Sequence, residues 1–259
     1  MNRTGLVVAL AIAAAAGLLF ALDPKLDLSL ARPFYDPAKQ DFSLRFHPTL
    51  VWLRDDAMWV VTALIAPAIV ALAIKLLLPF TRMLMPARAV LFLIATLILG
   101  PGLLVNVVMK DHWPRSRPID VPEFGGTERF VPWWDPRGVC PKNCSFVAGE
   151  SAGAFWTLAP AALTPPQWRA LATAAALAFG AAVGALRMVF GGHFFTDVLF
   201  AGVLMFLVVW LVHGAIYRWR ATRLTDEAVE HAIEGITMPV YRAIGSLIGR
   251  RNKRSGGAR

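Results

Sequence analysis

Residues 87–110 read ARAVLFLIATLILGPGLLVNVVMK, with no charged side chain between Arg88 and Lys110. About 20 residues rising 1.5 Å each cross the hydrocarbon core of a bilayer, so residues 87–109 are expected to form a spanning helix. Similar apolar runs lie on either side, at 5–22 and 57–80 upstream and at 168–188 and 194–217 downstream. A shorter one, 149–163, follows a long polar loop and completes a count of six. TPPQ at 164–167 separates two of the runs, because paired prolines cannot continue a helix, and Gly191-Gly192 separates the next pair. The chain has 259 residues, 57% of them hydrophobic, and a mean hydropathy of +0.55, which is too apolar for a soluble domain of that size. The expected fold is therefore all-α, a six-helix transmembrane bundle with an extramembrane loop between the third and fourth helices. It divides into an anchor at 1–22, an outer loop at 23–56, a core at 57–217 and a basic tail at 218–259.

Arg3 and the alanine-rich run behind it also fit a cleaved signal peptide. FALDPKLD at 20–27 offers no clear small-x-small cleavage site, which favours an uncleaved anchor. The turn carrying Arg82 and Arg88 has no acid, and Arg218, Arg220, Arg223, Arg242, Arg250, Arg251, Lys253, Arg254 and Arg259 crowd the tail. By the positive-inside tendency these are cytoplasmic. With six spans both termini are then inside, and the loops at 23–56, 110–148 and 189–193 face outward.

The net charge of +9 sits mostly in that tail, where residues 228–248 form a partly amphipathic stretch suited to anionic lipid. A nucleic-acid partner is not expected, since no basic groove interleaved with aromatics is present. Cys140 and Cys144, in CPKNC, fall in an outward loop and suit a local disulfide, with free thiols as the alternative. Two Cys without a nearby His are too few for a metal site.

Three stretches at the mouths of the spans carry the chemistry: KDHWPRSRP at 110–118, FVAGES at 146–151 and RMVFGGHFFTD at 187–197. Lys110, Arg117 and Arg187 are candidate phosphate ligands, the arginines through a bidentate fork and the lysine as a point charge. His193 and Asp197 are four apart, so they share a face if both lie on the first turn of a helix. A carboxylate that accepts one imidazole proton leaves the other nitrogen nucleophilic. Gly149 opens a helix and offers bare N–H groups to a phosphate oxygen. Glu150 is a candidate general acid that needs a raised pKa, against the alternative of a salt bridge with one of these cations.

The set resembles the type-2 phosphatidic acid phosphatase and vanadium haloperoxidase superfamily, whose pattern is Lys, six residues, Arg-Pro; then Pro-Ser-Gly-His; then Ser-Arg, five residues, His, three residues, Asp. Lys110, Arg117 and Pro118 match the first motif, and Arg187, His193 and Asp197 the third, with Leu186 in place of Ser. The second is replaced by Val147, Ala148, Gly149 and Glu150, so only Gly149 carries over. The resemblance implies a metal-independent, cofactor-free hydrolysis in which His193 attacks phosphorus to give a phosphohistidine. It also implies that Lys110, Arg117 and Arg187 hold the phosphate while Asp197 orients His193. Glu150 must then take the place of the acid histidine or leave that role empty, and Ser145 or Ser151 is left to lend the hydroxyl that Ala148 lacks.

FGGTERFVPWWDP (124–136) and NCSFVAGE (143–150) are more similar to bacterial lipid A phosphatases than to eukaryotic lipid phosphatases. The implied partners are a phosphorylated lipid and the bilayer, and the implied setting is a bacterial inner membrane with a periplasmic active site. Undecaprenyl diphosphate, phosphatidylglycerophosphate and phosphatidic acid stay open as substrates, as do phosphoryl transfer to another lipid and a non-catalytic phospholipid-binding relative. GESAG at 149–153 fits a nucleophile elbow only where a strand precedes it, and no strand is expected. A transporter is disfavoured by the lack of an inverted repeat.

Overall fold

The computed structural model describes residues 3–255, without the side chains of 240 and 242–255. In chain order the helices are α1 (Arg3–Leu22), α2 (Lys25–Ala31), α3 (Pro48–Leu77), α4 (Ala87–His112), α5 (Gly149–Phe155), α6 (Leu158–Leu163), α7 (Pro166–Val189), α8 (Phe195–Arg218) and α9 (Asp226–Ser255). Among the described residues no strand forms, and a single bridge pairs Asp36 with Asp41. The all-helical expectation holds. Among the described residues five helices, α1, α3, α4, α7 and α8, are long and apolar enough to cross a membrane.

Residues 149–163 are not a sixth helix of that kind. They form two short helices joined at Trp156-Thr157, because Pro160 has no N–H to return to the Trp156 carbonyl. That carbonyl instead accepts from Ala159 N–H at 2.8 Å, and the Thr157 hydroxyl donates to Ala154 O at 2.7 Å. The broken pair is mostly buried inside the bundle and runs against α7, with the Ser151 hydroxyl donating to Gly180 O at 3.1 Å.

The second run also differs, since α3 begins at Pro48 rather than residue 57 and stops at Leu77. Arg54, Asp55 and Asp56 interrupt the apolar run but not the backbone ladder, and Pro48 suits the first helical position. The second half of α4 is wound wider around Pro101, whose missing N–H interrupts the regular ladder.

Val61, Ile65, Val90, Phe92, Trp156 and Val209 make the main core between α3, α4, α6 and α8. The Trp156 indole donates to Thr96 Oγ1 at 3.0 Å, which meets its one polar need inside that core. A smaller cap of Leu28, Phe42, Val121, Phe124 and Phe194 packs the loops at one end of the bundle. At the other end α9 is clamped down. Lys75, 1% exposed, donates to Glu230 and Glu234 at 2.7 and 2.6 Å, and Arg88 pairs with Asp226 at 3.0 Å. The side chains of Arg242, Arg250, Arg251, Lys253 and Arg254, and all of Arg259, lie outside the described residues.

Candidate active site

Backbone hydrogen bonds draw the three stretches to the capped end. Ser145 N–H donates to Arg115 O at 2.8 Å and Cys144 N–H to Lys110 O at 3.2 Å, joining the first stretch to the chain just before the second. Ile119 N–H donates to Gly191 O at 3.0 Å and Ala148 N–H to Asp197 O at 3.2 Å, which bring in the third. Gly191 has φ +65°, and a Cβ there would lie 2.5 Å from the Phe42 ring, so both backbone and space call for glycine. Cys140 and Cys144 are joined in a disulfide across this loop, with a Cα–Cα distance of 5.7 Å.

His193 is buried and lies in the turn before α8 rather than on its first turn, since Gly191 and Gly192 reverse the chain and Phe194 is extended. Its Nδ1 is 3.7 Å from Asp197 Oδ2, beyond hydrogen-bond reach. The Ser145 hydroxyl fills the gap, donating to Asp197 Oδ2 at 2.5 Å and lying 3.4 Å from His193 Nδ1. Burial, with Arg117 and Arg187 adding to it, lowers the imidazole pKa from 6.5 to about 4 although Asp197 opposes the shift. The ring is thus neutral near pH 7, as a nucleophile requires.

Asp197 is fully buried, and every approach to it is a donor. Phe194 N–H reaches Oδ2 at 2.8 Å, and Arg115 Nη1 reaches Oδ1 at 2.6 Å. Arg115 is itself fully buried and forks to a second carboxylate, Asp27 of α2, at 2.7 Å. Asp27 also accepts the Thr196 backbone N–H at 3.1 Å and the Thr196 hydroxyl at 2.6 Å. The guanidinium also lies over the Phe194 ring, 4.5 Å from its centroid, and so packs against the residue beside His193. A carboxylate–guanidinium–carboxylate chain therefore runs from the N-terminal segment to the group beside the imidazole.

The cations line a polar cavity of about 290 Å³ formed by Arg45, Arg54, Arg117 and Arg187 with Phe46, Ile119, Phe190 and Gly192. Two of them, Arg45 and Arg187, keep a buried Nε–H with no hydrogen-bond acceptor among the described residues. Arg187 folds over Gly192, where a Cβ would lie 2.7 Å from its Nη2. Lys110 Nζ and Arg117 Nη2 hold the side chain and the carbonyl of Asn143 at 2.8 and 2.7 Å. Gly149 lies against Lys110: a Cβ there would be 2.8 Å from the lysine Cε, so the lysine side chain would have to shift to admit one.

Glu150 sits between guanidiniums, 3.0 Å from Arg54 Nη2 and 3.6 Å from Arg187 Nε. Burial opposes ionisation, but Arg54 and Arg187 win and hold the carboxyl below its usual range, the reverse of a resting proton donor. Ala148 is buried and presents no hydroxyl. Of the two serines considered for that role, Ser145 is at the imidazole and Ser151 points away to Gly180.

Lys110, Arg117, Gly149, Glu150, Arg187, His193 and Asp197 thus gather at one end of the bundle. Asp27, Arg45, Arg54, Arg115 and Thr196 join them without having been singled out from the sequence. Asp27 had one usable signal, a carboxylate in the otherwise apolar LDLSLA of 26–31. Among the described residues no three His, Cys, Asp or Glu side chains cluster so as to hold a metal ion.

The sequence pattern of the PAP2 superfamily matches residues 89–221, half of the chain. The chain belongs to the PAP2 superfamily. The match contains Lys110, Arg117, Gly149, Arg187, His193 and Asp197, whereas Asp27, Arg45 and Arg54 lie before the matched PAP2 segment. Among curated proteins it is 33% identical to a lipid A 4'-phosphatase of Francisella tularensis subsp. novicida, over 84% of this chain and 98% of that one. It is 42% identical to a lipid A 4'-phosphatase of Rhizobium leguminosarum, over 45% of this chain and 49% of the other. A Rhizobium etli protein of the same name is 39% identical over 40% and 41% of the two chains. No solved structure matches this PAP2 chain.

Proposed function

We propose that this PAP2 protein hydrolyses a phosphomonoester of a membrane lipid, with lipid A as the leading substrate, through a phosphohistidine and without a metal. The observation that carries this is the cavity of four arginines, two with unsatisfied buried Nε–H groups, beside a neutral buried imidazole. Anionic oxygens are what such donors bind best. The curated relatives supply the lipid class.

His193 Nδ1 faces Ser145 and Asp197, which leaves Nε2 to attack phosphorus. The P–O ester bond breaks, its electron pair goes to the lipid oxygen, and a water later attacks the phosphohistidine to release inorganic phosphate. Ser145 passes the orienting pull of Asp197 to the ring, and Lys110, Arg117 and Arg187 neutralise the equatorial oxygens. A bound phosphate competes with Glu150 for Arg187 and adds negative charge nearby, and both effects raise the Glu150 pKa. Substrate binding itself thus makes Glu150 an acid that can protonate the departing oxygen.

Sidedness rests on charge, with Arg82, Arg88 and the basic tail cytoplasmic and the site periplasmic in a bacterial inner membrane. Residues 149–163, running against α7, serve as the sixth crossing of that topology.

Purified protein in detergent is expected to release inorganic phosphate from lipid A and to leave a product lighter by one phosphate in mass spectra. Phosphate recovered on an acceptor lipid would instead make it a transferase, and no change would favour the non-catalytic alternative raised by Ala148. Glu150→Gln is expected to lower kcat on lipid A by about 10²-fold. The loss on p-nitrophenyl phosphate should be much smaller, because its leaving group needs no proton. Equal losses on both substrates would remove Glu150 from the acid role.

A further inference from the structure

An apolar cleft of about 570 Å³ runs between α3 and α7, walled by Trp52, Leu53 and Ala57 on one side and Phe179, Ala182 and Leu186 on the other. A second apolar space of about 420 Å³ shares Phe179 and continues past Val60, Leu64 and Ala176 of the same two helices, with Thr157, Pro160 and Ala161 as a third wall. From Trp52 to Leu64 the seam follows about 18 Å of helix, the depth of roughly one leaflet of hydrocarbon.

The seam meets the arginine cavity at its upper end. Leu53 lines the cleft while Arg54, the next residue, lines the cavity, and the same switch occurs from Leu186 to Arg187 and from Val189 to Phe190. Glu150 bridges Arg54 of α3 and Arg187 of α7 at that junction, so the two spaces are joined across one ion cluster. Cationic donors above and a trough below that is apolar except for Asp56 near its upper end match an amphiphile that has an anionic head and an alkyl tail. The wall is low where α7 carries Ala182 and Ala185, three apart on one face, which makes room for a chain between the helices.

We propose that this α3–α7 seam holds an acyl chain of the substrate and aligns its phosphate with His193. The seam, outside the catalytic groups, then sets the preference for acylated over soluble phosphomonoesters. The proposal rests on the lipid phosphatase reading and adds to it where the tail lies.

Ala182→Trp fills the cleft with an indole. In detergent-solubilised protein, KM for phosphatidic acid with two sixteen-carbon chains is expected to rise about tenfold or more. Hydrolysis of p-nitrophenyl phosphate, which has no tail, is expected to stay within about twofold of the parent. Val60→Trp, lower in the same seam, is expected to raise KM for sixteen-carbon but not eight-carbon phosphatidic acid, and this second variant guards against misfolding of the first. In the parent, KM is expected to fall as the chains lengthen from eight to sixteen carbons. An unchanged lipid KM in both tryptophan variants, or a parent KM independent of chain length, overturns the seam while phosphate release by the parent still upholds the phosphatase. If the parent releases no phosphate from any lipid, the functional reading fails first.

Discussion

His193→Ala stops phosphate release, with turnover on lipid A falling by roughly 10⁴-fold or more. The imidazole is buried next in sequence to Gly192 of the arginine cavity, with Ser145 and Asp197 on its Nδ1 side. Alanine leaves the cations in place, so phosphate still binds but no bond to phosphorus forms. Binding of an unreactive anion such as inorganic phosphate, measured by calorimetry, should change little, and this separates loss of the nucleophile from collapse of the site. A variant that turned over as fast as the parent would refute the assignment.

The parent also carries a pH signature, because the reactive species is the neutral ring. Burial lowers the His193 pKa to about 4, so the nucleophile is in its reactive form above that value and is lost as pH falls through it. An acid limb of kcat/KM near pH 4 is expected, whereas an unperturbed histidine would place it near 6.5.

What could be read in advance was local in sequence. The apolar runs show the long helices because each span buries its own backbone polar groups and needs no partner to do so. Lys110, Arg117, Arg187, His193 and Asp197 stand out through fixed spacings within two short stretches. The broken pair at 149–163 could not be told from a span by composition, since Pro160 decides it and the segment's burial depends on its neighbours. Glu150 was legible as a charge, but its place between Arg54 and Arg187 needed residues about a hundred and about forty positions away. Arg115 was hidden in plain view: PRSRP offers two guanidiniums, and spacing alone does not say which turns toward Asp197.

That hidden arginine supports the second large expectation. Arg115→Met should destabilise the protein by about 3–5 kcal/mol, the range found when one partner of a buried charge pair is removed. Its guanidinium is fully buried and contacts Asp27 and Asp197 at 2.7 and 2.6 Å, so methionine leaves two desolvated carboxylates without their shared cation. Burial already pushes the Asp27 carboxyl above its usual range even with Arg115 beside it, and removing the cation leaves that effect unopposed. The apparent Tm in detergent should drop by roughly 10 °C. Arg115→Lys keeps a charge but has no planar fork for both carboxylates, so it should fall between parent and methionine variant in Tm. In the methionine variant Asp197 would be held by Ser145 and Phe194 N–H alone, and kcat should drop in both variants, more in methionine than in lysine, while KM for lipid stays near the parent value. A methionine variant melting within about 1 °C of the parent would show that the chain from Asp27 to Asp197 does not bear on stability.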